Sequence, residues 1–303
     1  MGISKHINDF IEYCEITKNR SKKTLENYTH YLKRFSDFLA EDMDPKDLTL
    51  QKINNYRIYL NRFVDVKGKG LGVKTQVYHL IALRAFLKYL IKQDIKTLAP
   101  EKIELSKIPE RTVEALSRDE IERLFKAVDM TRKNSQRDLA ILETLFSTGL
   151  RVSELCSLNR EQVDLTRREF MVRGKGKKPR IIFLSEIAAM KIKDYLAKRD
   201  DNFKPLFING IVNKKDAIFD EEKRRLTRVS IESLVRKYAL AAGIIKKVTP
   251  HVLRHSYATN LLINGADIRS VQSLLGHSSI TTTQIYTHMT DKALREVHEK
   301  FHR

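Results

Sequence analysis

A chain of 303 residues with 57 lysines and arginines against 38 aspartates and glutamates carries a formal charge of +19. That excess argues against a cationic substrate and favours a polyanion, either nucleic acid or an acidic membrane surface. Hydrophobic residues make up 42%, enough for real cores, and Cys14 and Cys156 are the two cysteines, which excludes a disulfide framework and a zinc site of several thiolates.

The length corresponds to about two domains. No apolar run reaches the roughly 18 residues of a membrane helix. Residues 1–20 lack the apolar stretch of a signal peptide, so a reducing cytoplasm is the expected compartment. Leu25, Tyr28, Leu32, Phe35 and Phe38 recur at spacings of three and four, which predicts one face of a helix. Lys22, Lys23, Asn27 and Lys33 fall between them. A basic glycine-rich loop at 67–72 precedes a predicted helix over 73–92, with Val77, Leu80, Ile81, Leu87 and Ile91 inward. Residues 97–111 lose periodicity, carry Pro100 and Pro109, and read as a linker. The expected organisation is a helical N-terminal domain over 1–105, a linker over 106–115 and a larger domain over 116–303.

Ser117 with Glu120 three residues on is a capping-box pattern that opens the second domain. A helix over 139–148 buries Ile141, Leu142, Leu145 and Phe146, and Gly149 ends it as a left-handed cap. Val152, Leu155 and Leu158 anchor the helix that follows Arg151. Residues 168–173 and 180–184 read as two short strands joined by the turn 174–179. The remainder is chiefly helical. Thr249 is an N-cap with Pro250 at the first helical position, and Gly276 closes another helix. No internal repeat and no low-complexity segment is present.

Five features could carry chemistry. His251 and Arg254 share one face of a first helical turn, where free N–H groups and the helix dipole suit a phosphate; the pair also fits a solvated face. His277 sits at a sharp helix junction, from which it can reach a cleft or bond a loop carbonyl. Arg151 stands at a rigid helix start, free to serve a ligand or to pair with Glu154. Lys175 tips a Gly-Lys-Gly turn that lacks the spacing of a phosphate-binding loop. Tyr286, one of eleven tyrosines, is either a rim aromatic or a nucleophile. No carboxylate cluster with metal spacing stands near them, which disfavours a two-metal nuclease.

Each signal alone is weak, but their order is specific. The motifs Thr148-Gly-Leu-Arg-Val-Ser-Glu-Leu155, Gly174-Lys-Gly176, His251-Val-Leu-Arg-His-Ser-Tyr-Ala-Thr259, Leu274-Leu-Gly-His277 and Tyr286-Thr-His288 resemble those of the tyrosine recombinase, or phage integrase, family. The resemblance implies a mainly α fold with a small β-sheet: an N-terminal helical bundle, the SAM-like core-binding domain, linked to an α+β catalytic domain, the two closing as a clamp on duplex DNA. It implies Tyr286 as the nucleophile of a 3′-phosphotyrosine intermediate, Arg151 and Arg254 as phosphate ligands, and Lys175 as general acid. It also implies His251 as proton acceptor and His277 as donor to a phosphate oxygen. Neither metal nor cofactor is required, because the phosphotyrosine conserves the bond energy.

Lys67, Lys69, Lys74, Arg84 and Lys88 in the first domain, and Lys177, Lys178 and Arg180 in the second, are expected to meet DNA phosphates, against the alternative of solvated surface charges. Ala293, Leu294, Val297 and Phe301 have helical spacing. That segment docks on its own domain or, as the resemblance implies, is donated to a neighbour in a tetramer on two duplexes. The lack of an added arm-binding domain is most similar to the Xer branch, which implies chromosome dimer resolution at a specific double-stranded DNA site on the nucleoid. A septal DNA translocase is the activating partner that branch implies. A mobile-element integrase or transposase, a type IB topoisomerase-like strand transferase and a DNA-binding protein without chemistry are the alternatives. Membrane-surface binding lacks an amphipathic helix with aromatic anchors.

Overall fold

Helical periodicity in the sequence becomes four long helices in the first hundred residues: α1 (Ile3–Ile16), α2 (Lys22–Leu39), α3 (Leu50–Arg62) and α4 (Val73–Lys92). The computed structural model describes residues 2–66, 68–108, 114–173, 179–210 and 221–276. Within it the chain separates into two units, Met1–Arg111 and Thr112–Arg303. In the first unit, Ser21 and Thr49 cap α2 and α3 by accepting backbone N–H bonds, the expected role of a hydroxyl at that position. Leu32 and Phe35 of α2 are buried, and Leu25, Tyr28 and Phe38 pack partly against the same core.

The bounds of α4 are those predicted, and Val77, Leu80 and Leu87 are buried as expected, but the rest of its inner face differs. Ile81 is half-buried and Ile91 exposed, while Leu83, Phe86 and Leu90 carry the burial. The reason is that α4 packs on α1, α2 and α3 together. Its buried arc is therefore wider than one stripe and is centred on Leu83 and Phe86. Ahead of α4 the basic glycine-rich segment folds back on itself: Val64 and Gly70 form an antiparallel bridge, and the Asp65 carboxylate accepts from the Lys69 N–H. Residues 97–105 are also not a linker. Pro100–Lys102 forms a 3-10 turn, and Ile103 enters the first core with Leu98 and Leu105 beside it. These scattered apolar residues have no period to read, because each packs separately.

The second unit opens on α5 (Arg118–Lys126), whose Ser117–Glu120 capping box forms as expected. α6 (Ser135–Thr148) starts four residues before the prediction and ends at Gly149, with φ of +58°. A short α7 (Val152–Ser157) follows. Then come three antiparallel strands in the order β1 (Val163–Asp164), β2 (Glu169–Arg173) and β3 (Pro179–Phe183). The two-residue β1 is too short to show alternation in sequence. Phe170, Val172 and Ile182 point inward. The helices α8 (Glu186–Ala197), α9 (Arg228–Ala241), α10 (Pro250–Ile263) and α11 (Ile268–Leu275) complete the described residues. The fold is mostly helical with this one small sheet, as expected. Among the described residues no helix is long and apolar enough to cross a membrane.

α6 is the central helix of this unit and packs on α5, α8, α10 and β3. Its end is fixed by close approach: a Cβ on Gly149 would lie 2.5 Å from the Tyr257 ring and 3.0 Å from Leu275. Only glycine therefore lets α6, α10 and α11 meet there.

One carboxyl in this core is costly. Glu143 on α6 is buried, and burial pushes its pKa up to about 7, with Lys191 drawing it partly back. The unfolded value is about 4.3. The folded state therefore favours the protonated form, and stability present below about pH 4.3 is lost as pH rises towards 7. Glu143→Gln is expected to raise the melting temperature at pH 8 by roughly 2–6 °C, about 1–2 kcal/mol after allowance for residual hydration. The gap should close towards pH 5. Thermal melts across this range that run parallel for the two proteins would contradict the assignment.

Candidate active site

Three helix ends converge on one place in the second unit. α6 stops at Gly149, Arg151 forms the N-cap of α7, and α11 stops at Gly276 in the left-handed conformation. Arg254 of α10 is buried and ties these ends together. Its Nη1 donates to the Gly149 carbonyl at 2.6 Å and its Nη2 to the Leu275 carbonyl at 2.7 Å. A guanidinium at two helix C-termini meets carbonyls that the helices leave without partners, and the dipoles favour its charge.

Glu154, in the first turn of α7, is the acidic partner. Its carboxylate accepts from the Arg151 backbone N–H and from Arg151 Nη1, both at 2.9 Å. Arg180 of β3 donates to both carboxylate oxygens, at 3.0 and 2.8 Å, and its Nε donates to the Leu274 carbonyl at 3.2 Å. Arg151 Nη2 donates to the Gly276 carbonyl at 3.2 Å. Burial alone would raise the Glu154 pKa, but the bonds from Arg180 and Arg151 outweigh it and hold the carboxyl below the usual range. Glu154 is thus an anion that orients two cations.

The cap of α10 is Thr249, whose hydroxyl accepts from the Val252 N–H at 3.3 Å, with Pro250 next. This sets His251 in the first turn, on the wall of a cleft. The loss of hydration there, with the cations Arg254 and Arg151 nearby, pushes its pKa below the ordinary histidine value. The cleft has a volume of about 500 Å³ and is lined by Arg151, His251 and Arg254, and by Arg228, Glu232, Arg236 and Lys247. Such a site can hold a phosphodiester by paired, charge-assisted hydrogen bonds.

Of the residues expected from sequence, Arg151, His251 and Arg254 line this one cleft. Lys175, His277, Tyr286, Lys177, Lys178 and Lys67, and the C-terminal segment, lie outside the described residues. Arg180 is a correction. Its sequence context points it at DNA, yet it is turned inward on Glu154 and the end of α11, with a side chain 10% exposed. The cause is the buried carboxylate, 26 positions earlier, which needs a second cation. In the first unit Lys69, Lys74 and Lys88 are exposed and Arg84 is half-buried; Lys88 lies 3.7 Å from Glu101.

Sequence reasoning misses Arg228, Arg236 and Lys247. The signal for the first two is the Arg228-Glu232-Arg236 spacing of four, which places them on one face of α9. Lys247 is indistinguishable in sequence from Lys246, yet Lys246 bonds Glu120 at 3.0 Å while Lys247 lines the cleft.

Comparison with known proteins places these features. The phage integrase family profile matches residues 114–293, and the phage integrase N-terminal SAM-like domain matches residues 7–94. Tyrosine recombinase XerD of Oceanobacillus iheyensis is 38% identical over 298 residues, 98% of this chain and 97% of that protein. Tyrosine recombinase XerC of Thermodesulfovibrio yellowstonii is 36% identical over 309 residues, 98% of this chain and 96% of that protein. The crystal structure of XerA recombinase aligns over 99% of both chains at 33% identity, with a TM-score of 0.53.

Neutralising Glu154 leaves Arg151 and Arg180 side by side without their counter-charge. Glu154→Gln is expected to lower unfolding stability by about 2–4 kcal/mol, toward the low end for a broken buried pair because Arg151 is partly solvated. Urea denaturation at pH 7 measures it. A loss below about 0.5 kcal/mol would mean the carboxylate does not hold the site together.

Proposed function

We propose that this chain, which belongs to the phage integrase family, is a site-specific tyrosine recombinase of the Xer type that cuts and rejoins double-stranded DNA. The observation that carries the reading is the convergence of Arg151, His251 and Arg254 on one cleft, with both guanidiniums held by the ends of packed helices. These are the family's motif positions, and they meet although they span about a hundred residues of sequence.

The reaction is phosphoryl transfer to a side chain. The Tyr286 oxygen attacks the scissile phosphorus and the bond to the 5′-oxygen breaks, which leaves a 3′-phosphotyrosine and a 5′-hydroxyl. His251 accepts the tyrosine proton. Its lowered pKa keeps it neutral near pH 7 and competent as an acceptor. Lys175 supplies the proton for the leaving 5′-oxygen. The transition state places extra negative charge on the non-bridging oxygens, and Arg151 and Arg254 meet it as fixed, permanently charged forks. His277 adds a hydrogen bond to the same oxygens. The 5′-hydroxyl of the partner strand then attacks the phosphotyrosine, restores the DNA linkage and releases the tyrosine. No step consumes a nucleotide or needs a metal.

In this reading the first unit is the core-binding domain, and its exposed Lys69, Lys74 and Lys88 meet backbone phosphates. Four protomers work on two duplexes, each donating its C-terminal segment to the next. The setting is chromosome dimer resolution on the nucleoid in the cytoplasm, with a septal DNA translocase as activator. The similarity to XerD and XerC over nearly their whole length supports that branch.

A duplex nicked near a candidate recombination site, incubated with the protein and run on a denaturing gel, tests the chemistry. A covalent band is expected that is lost in Tyr286→Phe and forms about 10²–10³-fold more slowly in Arg254→Ala. A band that survives Tyr286→Phe overturns the nucleophile. The pH profile of kcat/KM, which reports the free enzyme, should fall only below the ordinary histidine range. His251→Gln should remove that acid limb.

A further inference from the structure

The cleft is wider than one phosphate needs. Beyond Arg151, His251 and Arg254 it continues along α9 and the segment before α10, where Arg228, Arg236 and Lys247 line it. All three are exposed, and none of them has an ion-pair partner among the described residues. This holds even though Glu232 stands four positions from both Arg228 and Arg236, the spacing at which helical charges usually pair. Some surface cations elsewhere in this unit pair, Lys246 with Glu120, Arg225 with Glu222 and Lys204 with Glu221, whereas these three line the cleft without such a partner. The α9 wall thus presents cations to the cleft rather than to neighbouring carboxylates.

Arg228 and Arg236 are eight residues apart, about 12 Å along the helix at about 1.5 Å per residue. Phosphates on one strand of duplex DNA advance about 3.4 Å along the axis each. The two arginines therefore cannot serve one phosphate. Laid along a strand, they reach phosphates about three nucleotides apart, with Lys247 between α9 and the His251 turn.

We propose that Arg228, Arg236 and Lys247 form a phosphate track for the strand being cut, running away from the scissile phosphate on one side and fixing its register in the cleft. Glu232 sits within this track as a counter-charge that limits how tightly any strand is held. The track rests on the recombinase reading above, because it assumes that a DNA strand occupies the cleft. It adds three positioning residues to that reading and makes the α9 wall part of the DNA-binding surface.

The salt dependence of binding separates this from a set of solvated charges. The full-length protein is titrated against a fluorescent duplex of random sequence, about three helical turns long, at a series of KCl concentrations. Each lost phosphate contact lowers the slope of log K against log salt by about 0.9. The double variant Arg236→Ala, Lys247→Ala is expected to lose about two from the slope. Lys237→Ala, turned about 100° from Arg236 on the same helix, is expected to leave it unchanged. Glu232→Gln should tighten binding about two- to fivefold at low salt, a gain that misfolding cannot mimic.

If the wild type binds with a steep slope and the double variant keeps that slope, the track is wrong and the recombinase reading stands. If Lys237→Ala loses as much as the double variant, the effect is one of net charge and the track is again wrong. If the wild type does not bind the duplex at all in low salt, the recombinase reading itself fails.

Discussion

The Glu154 carboxylate is the point on which the catalytic unit turns. It is buried beside two guanidiniums, takes bonds from both, and caps the helix that carries it. Removing Glu154 and Arg180 from water is expensive, and a buried ion pair often does no better for stability than apolar packing. What the arrangement supplies is orientation. Arg151 cannot rotate away without leaving the carboxylate, and Arg180 cannot leave without releasing the end of α11. The sheet, α7 and α11 are therefore held in one geometry by a single anion. Arg254 does the same for α6 and α11 through their terminal carbonyls.

This geometry matters for a reaction whose barrier lies in charge on phosphate oxygens. Donors that are already in place cost no reorganisation when that charge develops. Here they are placed by helix ends packed around Gly149 and Gly276, where an added Cβ would strike Tyr257 or Arg180. Lys175 follows the end of β2 by two residues, and His277 follows Gly276 directly in the chain. In the proposed reaction, long-range attraction by the +19 charge would bring DNA to the protein, and the paired forks in the cleft would select a phosphodiester.

Much of this is legible in the sequence. The Ser117 capping box, the bounds of α4, the Gly149 and Gly276 stops and the Thr249-Pro250 start are local signals, and each is readable because the partner lies within about four residues. The convergence of Arg151, His251 and Arg254 is legible only through resemblance, since no spacing brings residues a hundred positions apart together. Arg180 misleads for the same reason. A basic residue beside a basic turn looks like a DNA contact until Glu154 is seen next to it. Ile91 and the 97–105 segment fail differently. Their burial depends on how many helices surround α4, which no single helix's periodicity contains. Arg236 and Lys247 escape notice because an exposed cation in a cleft has the same sequence as one on open surface.

Glu154 and Arg180 are expected to act as one unit in holding Arg151 for catalysis. A double-mutant cycle on the single-turnover rate of DNA cleavage tests it, using Glu154→Gln, Arg180→Met and the pair. Strong non-additivity is expected, with the double variant little slower than the worse single variant and a coupling of at least about 1.5 kcal/mol. Rate losses that simply add would show that the two residues act independently, and would contradict it.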